Sequence, residues 1–271
     1  MSSNAIDSAE FPTNSPHESS AQTQGVQTSD QIDLNLKTLA ARLQESSLKK
    51  QLQAIRDLAT LGEKGDRILI DFVRHQLATQ QSKNASTEAH SLPTAAHGSA
   101  YQHLYQADSS AAKAFIAEAA HGVLAPVSAQ GIDYSDLQIL LVKQAYQLAD
   151  QLTMQKLCEL AGESAVKRKW VYFTEVSQFP TADLQTLDTL WGIYSEDKFG
   201  WSKQRELWLR LGQDWVRLWT QLAWKTDNAW TRYPNEFIWD LSAPIGHLPL
   251  SNQLRGVRMM DSLLSHPAWT H

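Results

Sequence analysis

One cysteine, Cys158, stands in a chain of 271 residues. It cannot form an intramolecular disulfide, and cysteine zinc sites are excluded with it. No apolar run approaches the roughly 20 residues that a bilayer-spanning helix needs. The first 36 residues contain no lysine or arginine but five acids, Asp7, Glu10, Glu18, Asp30 and Asp33. The whole chain has 29 acids and 24 bases, so beyond this tail 24 acids balance 24 bases, and the net charge of -5 belongs to the tail. A balanced body lacks the clustered basic surplus that neutralises phosphates, which argues against a nucleic-acid partner. The tail also lacks a basic segment followed by an apolar one. It therefore does not read as a targeting peptide, and a soluble intracellular setting is expected.

Catalytic signatures are missing as well. There is no Gly-rich phosphate loop, nucleophile elbow or paired-histidine helix motif. Cys158 has no histidine near it and lies on an apolar helical face between Met154 and Leu160, where a small buried hydrophobe is the expectation. An enzyme is the least favoured reading. Period-2 alternation is absent too, so the fold class is expected to be all-α, an N-terminal three-helix module of helical-repeat type followed by a larger helical core with a long binding loop.

Composition divides the chain. Residues 1–31 are rich in Ser, Thr, Asn, Gln and Pro and are expected to form a disordered tail. Residues 32–78 carry three runs at helical spacing, ending near Leu77, with Gly62 and Gly65 between the second and third. Residues 79–99, with Pro93 and Gly98, read as a flexible linker. His75, His90, His97 and His103 fall in or beside it at irregular spacing, which predicts solvated histidines rather than a metal site. Residues 100–271 make the larger helical domain. Within it Asp150 and Thr153 mark an expected junction between helices, Trp170, Phe173 and Val176 share a face of another, and Pro180 opens the next.

All ten tryptophans lie between Trp170 and Trp269. Trp191, Trp208, Trp215 and Trp219 sit at helical spacing and belong to the core. The stretch from Trp224 to Arg258 differs: Pro234, Pro244, Pro249 and Gly246 interrupt any helix, yet it holds Trp224, Trp230, Tyr233, Phe237 and Trp239. A loop this long with so many rings is expected to be an ordered binding loop, its aromatics open to solvent. His247 is either an acid, base or axial ligand, or a loop histidine bonded to its neighbours. Arg255 and Arg258, three apart, share a helical face and are able to reach one acidic edge, or else pair with acids such as Asp240 or Asp261. Aromatic faces beside two guanidinium groups suit a large flat anion. Burying about 400 Å² of such a ring gains roughly 10 kcal/mol, which the cost of association, about 4–15 kcal/mol, nearly cancels, so the arginines would decide whether it binds.

Asp183-Leu184, Leu190-Trp191, Tyr194-Ser195, Phe199-Gly200-Trp201-Ser202, Trp230-Thr231-Arg232-Tyr233-Pro234, Gly246-His247-Leu248-Pro249 and Asn252 to Arg258 together resemble the genomes-uncoupled-four family of tetrapyrrole-binding proteins. The likeness covers about residues 131–269. Lys49-Lys50-Gln51-Leu52 and Gly62-Glu63-Lys64-Gly65 resemble the extra N-terminal domain of cyanobacterial members. The resemblance implies a cupped all-helical core that binds protoporphyrin IX and magnesium protoporphyrin IX and stimulates magnesium chelatase by contacting its large porphyrin-binding subunit, without being the catalyst. It further implies that Arg255 and Arg258 face the propionates beside Asn252, that Phe173 and Val176 line an apolar floor, and that Trp230 and Tyr233 belong to a mobile closing loop. A cytoplasmic location follows from it, with peripheral thylakoid association left open. The alternative is a helical interaction module whose aromatic groove accepts a peptide.

Overall fold

The computed structural model describes residues 29–81, 92–227, 229–251 and 256–270. The tail up to residue 28 and residues 82–91 of the expected linker lie outside them. Helices α1 (Ser29–Leu43), α2 (Leu48–Ala59) and α3 (Glu63–Gln81) bury Leu39, Leu43, Ile55, Leu58, Leu69 and Val73 against one another. Their apolar residues recur at three and four, so each helix turns one stripe inward. Gly62, with φ +58°, makes the turn between α2 and α3 in a conformation that favours glycine.

Helix α4 (Ala95–Gln106) begins inside the stretch read as a linker. The Ala- and Gly-rich composition that suggested flexibility is instead a close-packing surface: Ala96, Gly98 and Ala100 are buried, and Gly98 lies against Ile193. His97 starts this helix rather than facing water. Its Nδ1 accepts the Thr94 N–H at 3.0 Å, and its ring stacks on Phe72 at 4.3 Å. His103 pairs with the buried carboxylate of Asp66, Nε2 to Oδ1 3.0 Å; His90 lies outside the described residues. No group of three or more His, Cys, Asp or Glu among the described residues is arranged to hold a metal.

Helix α4 joins the two halves of the molecule. It packs on α2 and α3 from one side and on α10 (Thr181–Ile193) from the other, and α5 (Ser110–Glu118) completes the N-terminal layer. The buried Gln102 amide donates to the carbonyls of Leu141 and Tyr194, both at 2.9 Å. Arg56 of α2 donates to both carboxylate oxygens of Glu196 across the same junction.

The C-terminal half adds α6 (Ser135–Val142), α7 (Tyr146–Ala161), α8 (Glu163–Arg168), α9 (Phe173–Val176), α10, α11 (Trp201–Arg210), α12 (Trp215–Gln221) and α13 (Arg258–Leu264). The all-α class holds with one addition, a two-stranded antiparallel hairpin of β1 (Lys225–Thr226) and β2 (Ala229–Trp230). Strands of two residues are too short to show any alternation. Its core is aromatic: Trp191, Trp201, Trp224, Tyr134, Tyr146, Tyr194 and Phe199 are wholly buried.

Helix α7 runs unbroken through Asp150 and Thr153, where a junction was expected. Both polar side chains have distant partners: Thr153 Oγ1 accepts the Trp191 indole N–H at 3.0 Å, and Asp150 Oδ1 accepts the Leu250 N–H at 2.6 Å. Buried polar groups need such partners, and these two bonds fix α10 and the 250 segment to α7. A row of indoles runs from α11 through α12 to the hairpin. Trp208 meets Trp215 at 4.9 Å between ring centroids, Trp215 meets Trp219 at 5.3 Å, and Trp219 meets both Trp224 at 5.5 Å and Trp230 at 5.9 Å.

Candidate functional site

One face of α7 is left uncovered by the core. Gln151, Met154, Gln155 and Cys158, at steps of three, one and three, present this face to a cavity of about 390 Å³ closed on the far side by Val166 and Lys169. Its volume falls within the range of small-molecule pockets, and its lining is an apolar strip edged by two amides and an ammonium. Residue spacing could not separate this face from a core face, because both repeat at three and four. Cys158 is buried, as expected, and burial pushes its thiol pKa up, which leaves it an apolar wall and not a nucleophile.

The chain leaves this cavity through a cluster that sequence reasoning missed. Arg168 stands over two rings, 4.3 Å from the Tyr172 centroid and 5.0 Å from that of Trp170, and also bonds to Glu175. The expected helix carrying Trp170, Phe173 and Val176 on one face shrinks to the single turn of α9. Trp170 therefore does not share a helical face with Phe173: it turns back to meet Tyr172 edge-on, 4.1 Å between ring centroids. Glu175 holds the turn closed by accepting the Tyr172 N–H at 2.7 Å.

Phe173 and Arg258 are brought together. The phenyl ring is 40% exposed and the Arg258 guanidinium lies 5.4 Å from its centroid, so the cation is presented at the surface on an aromatic face. Packing of α9 against α13 creates this pair. Val176 lies beneath it with none of its side chain exposed; it supports the turn from inside and does not itself open to a ligand. Asn252 and Arg255 lie outside the described residues.

The expected open aromatic loop is largely folded onto itself. Trp224 is buried with its indole N–H on the His247 carbonyl at 2.8 Å, and Trp239 donates to the Pro234 carbonyl at 2.9 Å. Phe237 is buried and packs between Trp239 and His247. An indole with a carbonyl partner loses nothing by leaving water, which is why these rings turn inward. Trp230 is half-buried beside Trp219, and the Lys225 ammonium stands over its ring at 5.7 Å. Tyr233 stays out, 48% exposed, and its hydroxyl accepts from Gln151 Nε2 at 2.8 Å, so the loop tip reaches the cavity wall.

His247 is the neighbour-bonded histidine of the two alternatives. It is wholly buried, its Nδ1 donates to the Leu222 carbonyl at 2.6 Å and its Nε2 accepts the Ile238 N–H at 3.1 Å. Burial holds its pKa below the usual histidine value, and the neutral tautomer leaves neither nitrogen free for catalysis or ligation. Lys198 holds the same loop by bonding to the Leu241 carbonyl.

Comparison with known proteins agrees with this architecture. Residues 127–267 match the model of the GUN4-like family, and residues 26–120 match that of the ARM-like repeat domain found at the GUN4 N terminus. The Ycf53-like protein of Synechocystis is 46% identical over 237 residues, covering 87% of this chain and 97% of the relative. The chloroplast tetrapyrrole-binding protein of Arabidopsis thaliana is 39% identical over 138 residues, 48% of this chain and 52% of that protein. The solved structure of GUN4 from Chlamydomonas reinhardtii superposes with a TM-score of 0.52 at 39% identity, covering 55% of this chain and 95% of that one.

Proposed function

The chain belongs to the GUN4-like family, and from that premise we propose that it binds protoporphyrin IX and magnesium protoporphyrin IX and stimulates magnesium chelatase without catalysing the insertion itself. The observation that carries the reading is the apolar cavity along α7, reached by the Tyr233 tip, together with an exposed cation mounted on Phe173. The ring would lie on the Met154–Cys158 strip. Arg258, with Arg255 and Asn252 beside it in sequence, would hold the propionates, and Trp230 and Tyr233 would close over the open face. Phe173 would meet the ring edge, with Val176 behind it.

Each part has a physical task. The apolar strip removes ring surface from water at about 25 cal/mol per Å². Guanidinium groups supply orientation, because a fork that donates to a carboxylate does so in a defined plane. A carrier of this kind would deliver its ring to the large porphyrin-binding subunit of the chelatase, and its cytoplasmic or thylakoid-peripheral location belongs to the same proposal. Among the described residues no helix is long and apolar enough to cross a membrane.

Titrating protoporphyrin IX into the full chain should quench tryptophan emission saturably. Arg255→Ala combined with Arg258→Ala should weaken binding by about 10-fold or more, from about 1.5–3 kcal/mol for each charged hydrogen bond, while far-ultraviolet circular dichroism stays unchanged. A flat titration of the wild-type chain would remove the proposal. A chelatase assay at low magnesium with and without the protein tests the second half, and equal rates would restrict the function to carriage.

A further inference from the structure

Sulfur is scarce in this chain, and one sulfur atom stands where the proposed ligand would lie. Of the methionines, Met154, Met259 and Met260 fall among the described residues. Met259 is 8% and Met260 1% exposed, and the Met260 Sδ accepts the Ser251 hydroxyl at 3.2 Å. Met154 differs. It is half-buried on α7 and lines the cavity of about 390 Å³ together with Gln151, Gln155 and Cys158. A thioether is polarisable and packs well against an aromatic ring, which suits an apolar strip. It is also an apolar side chain that oxidants convert into a polar one.

The rest of the lining makes Met154 its reactive member. Cys158, one turn further along the same face, is buried, and burial keeps it a thiol, which oxidants attack less readily than a thiolate. Gln151, Gln155, Val166 and Lys169 complete the wall and carry no readily oxidised group. An oxygen placed on Met154 would find both neighbouring amide nitrogens engaged. Gln151 Nε2 donates to the Tyr233 hydroxyl at 2.8 Å, and Gln155 Nε2 donates to Glu159 Oε1 at 3.2 Å. The Lys169 ammonium stands on the far side, across the space that the ring needs.

We propose that Met154 is an oxidation site of the tetrapyrrole cavity: singlet dioxygen raised by an illuminated ring converts its thioether to the sulfoxide, and the sulfoxide lowers the affinity of the cavity for that ring. The proposal rests on the binding reading above and deepens it into regulation of the same site by light. Singlet dioxygen adds to Sδ as a persulfoxide, which water takes up and resolves. One thioether, one dioxygen and one water become one sulfoxide and one hydrogen peroxide. Sulfur loses two electrons, and dioxygen gains them together with the two protons of the water. The strip on which the ring would lie then presents a polar oxygen instead of a thioether. The change is reversible, because reductases return methionine sulfoxide to methionine. A cavity loaded in the light would thus empty itself and recover in the dark.

The test illuminates the full wild-type chain saturated with protoporphyrin IX, with and without dioxygen, and maps oxidation by peptide mass spectrometry. Met154 should gain about 16 Da, one oxygen atom, ahead of Met259 and Met260 and in the aerobic sample alone. Re-titration in the dark should then show affinity lowered about 10-fold, the cost of an unpartnered polar group facing the ring, and methionine sulfoxide reductases should restore it. Met154→Leu has no sulfur to oxidise at this position, so its affinity after illumination should match its own dark value. Where that variant binds too weakly to titrate, reversal by the reductases in the wild-type chain decides. The same ratio of Met154 to Met259 oxidation with the cationic sensitiser methylene blue in solution would show that exposure and not the cavity selects Met154, and overturns the proposal. So does an affinity loss with Met154 unmodified, as from oxidation of Trp230, or an equal loss in Met154→Leu. A flat dark titration of the wild-type chain overturns the binding reading itself, and this site with it.

Discussion

Gly98→Ala tests the junction between the two halves of the protein. In the interior of an exposed helix this change is favourable by about 1 kcal/mol, because alanine has the higher helix propensity. Here the new methyl group would meet the Ile193 carbonyl oxygen at a forbidden separation and would lie 2.6 Å from Ile193 Cγ2. The carbonyl is backbone and cannot rotate away, so α4 and α10 must separate by about 1 Å. Overpacking of this kind costs about 1–3 kcal/mol. The separation also stretches the two Gln102 bonds that cross to Leu141 and Tyr194, at about 0.5–1.5 kcal/mol each. Set against the propensity gain, the net expectation is a loss of about 1–5 kcal/mol, read from urea unfolding of the full chain as a lower midpoint. Porphyrin titration should be little changed, since the proposed site is carried by α7, α8, α9, the aromatic loop and the start of α13, away from the α4–α10 contact. A variant as stable as wild type, or more stable, would refute the close approach of α4 to α10.

Three further outcomes are expected. The ring of His97 is half-buried against Phe72, and burial, with the nearby His75 charge a smaller influence, lowers its pKa from 6.5 to about 4. A lowered histidine pKa means that protonation favours unfolding, so stability should fall by up to about 3 kcal/mol as pH drops from about 6.5 to 4. His97→Gln retains a capping side chain and should flatten that part of the urea-midpoint profile; an unchanged acid slope would locate the effect elsewhere. Thr153→Val leaves the buried Trp191 indole N–H without an acceptor and should cost about 1–3 kcal/mol in the same unfolding measurement, whereas a neutral result would show that the indole finds another partner. Tyr233→Phe removes one exposed bond to Gln151, so the fold should lose less than about 1 kcal/mol while stopped-flow porphyrin association changes; identical association traces would separate the loop tip from ligand entry.

Helical period and glycine placement made most of the fold legible in advance: the helices from α1 to α3, α7, α10 and α11 follow the recurrence of leucines and tryptophans. The misreadings share a cause, which is that a residue type carries different meanings before and after its partners are known. Ala96, Gly98 and Ala100 have a linker's composition, and only the nearness of Ile193 turns them into a packing surface. Asp150 and Thr153 look like a helix break until Leu250 and Trp191 are placed opposite them. In the candidate site, Phe173 and Arg258, which the sequence names for separate roles, lie side by side, and Tyr233 reaches the α7 cavity. The other loop rings turn inward on carbonyls that no spacing rule identifies, and the cavity wall of α7 has the same period as a core face.

The row of indoles from Trp208 to Trp230 bears on how this protein reports its own occupancy. Rings spaced about 5 to 6 Å apart do not emit as separate lamps. Excitation hops along the row before it is released, so an acceptor arriving beside Trp230 drains light absorbed as far away as Trp208. A single bound chromophore should then darken far more than one indole's share of the emission, and selective replacement of Trp219 by phenylalanine, at the fork of the row, should shrink the signal without shifting the half-saturation point.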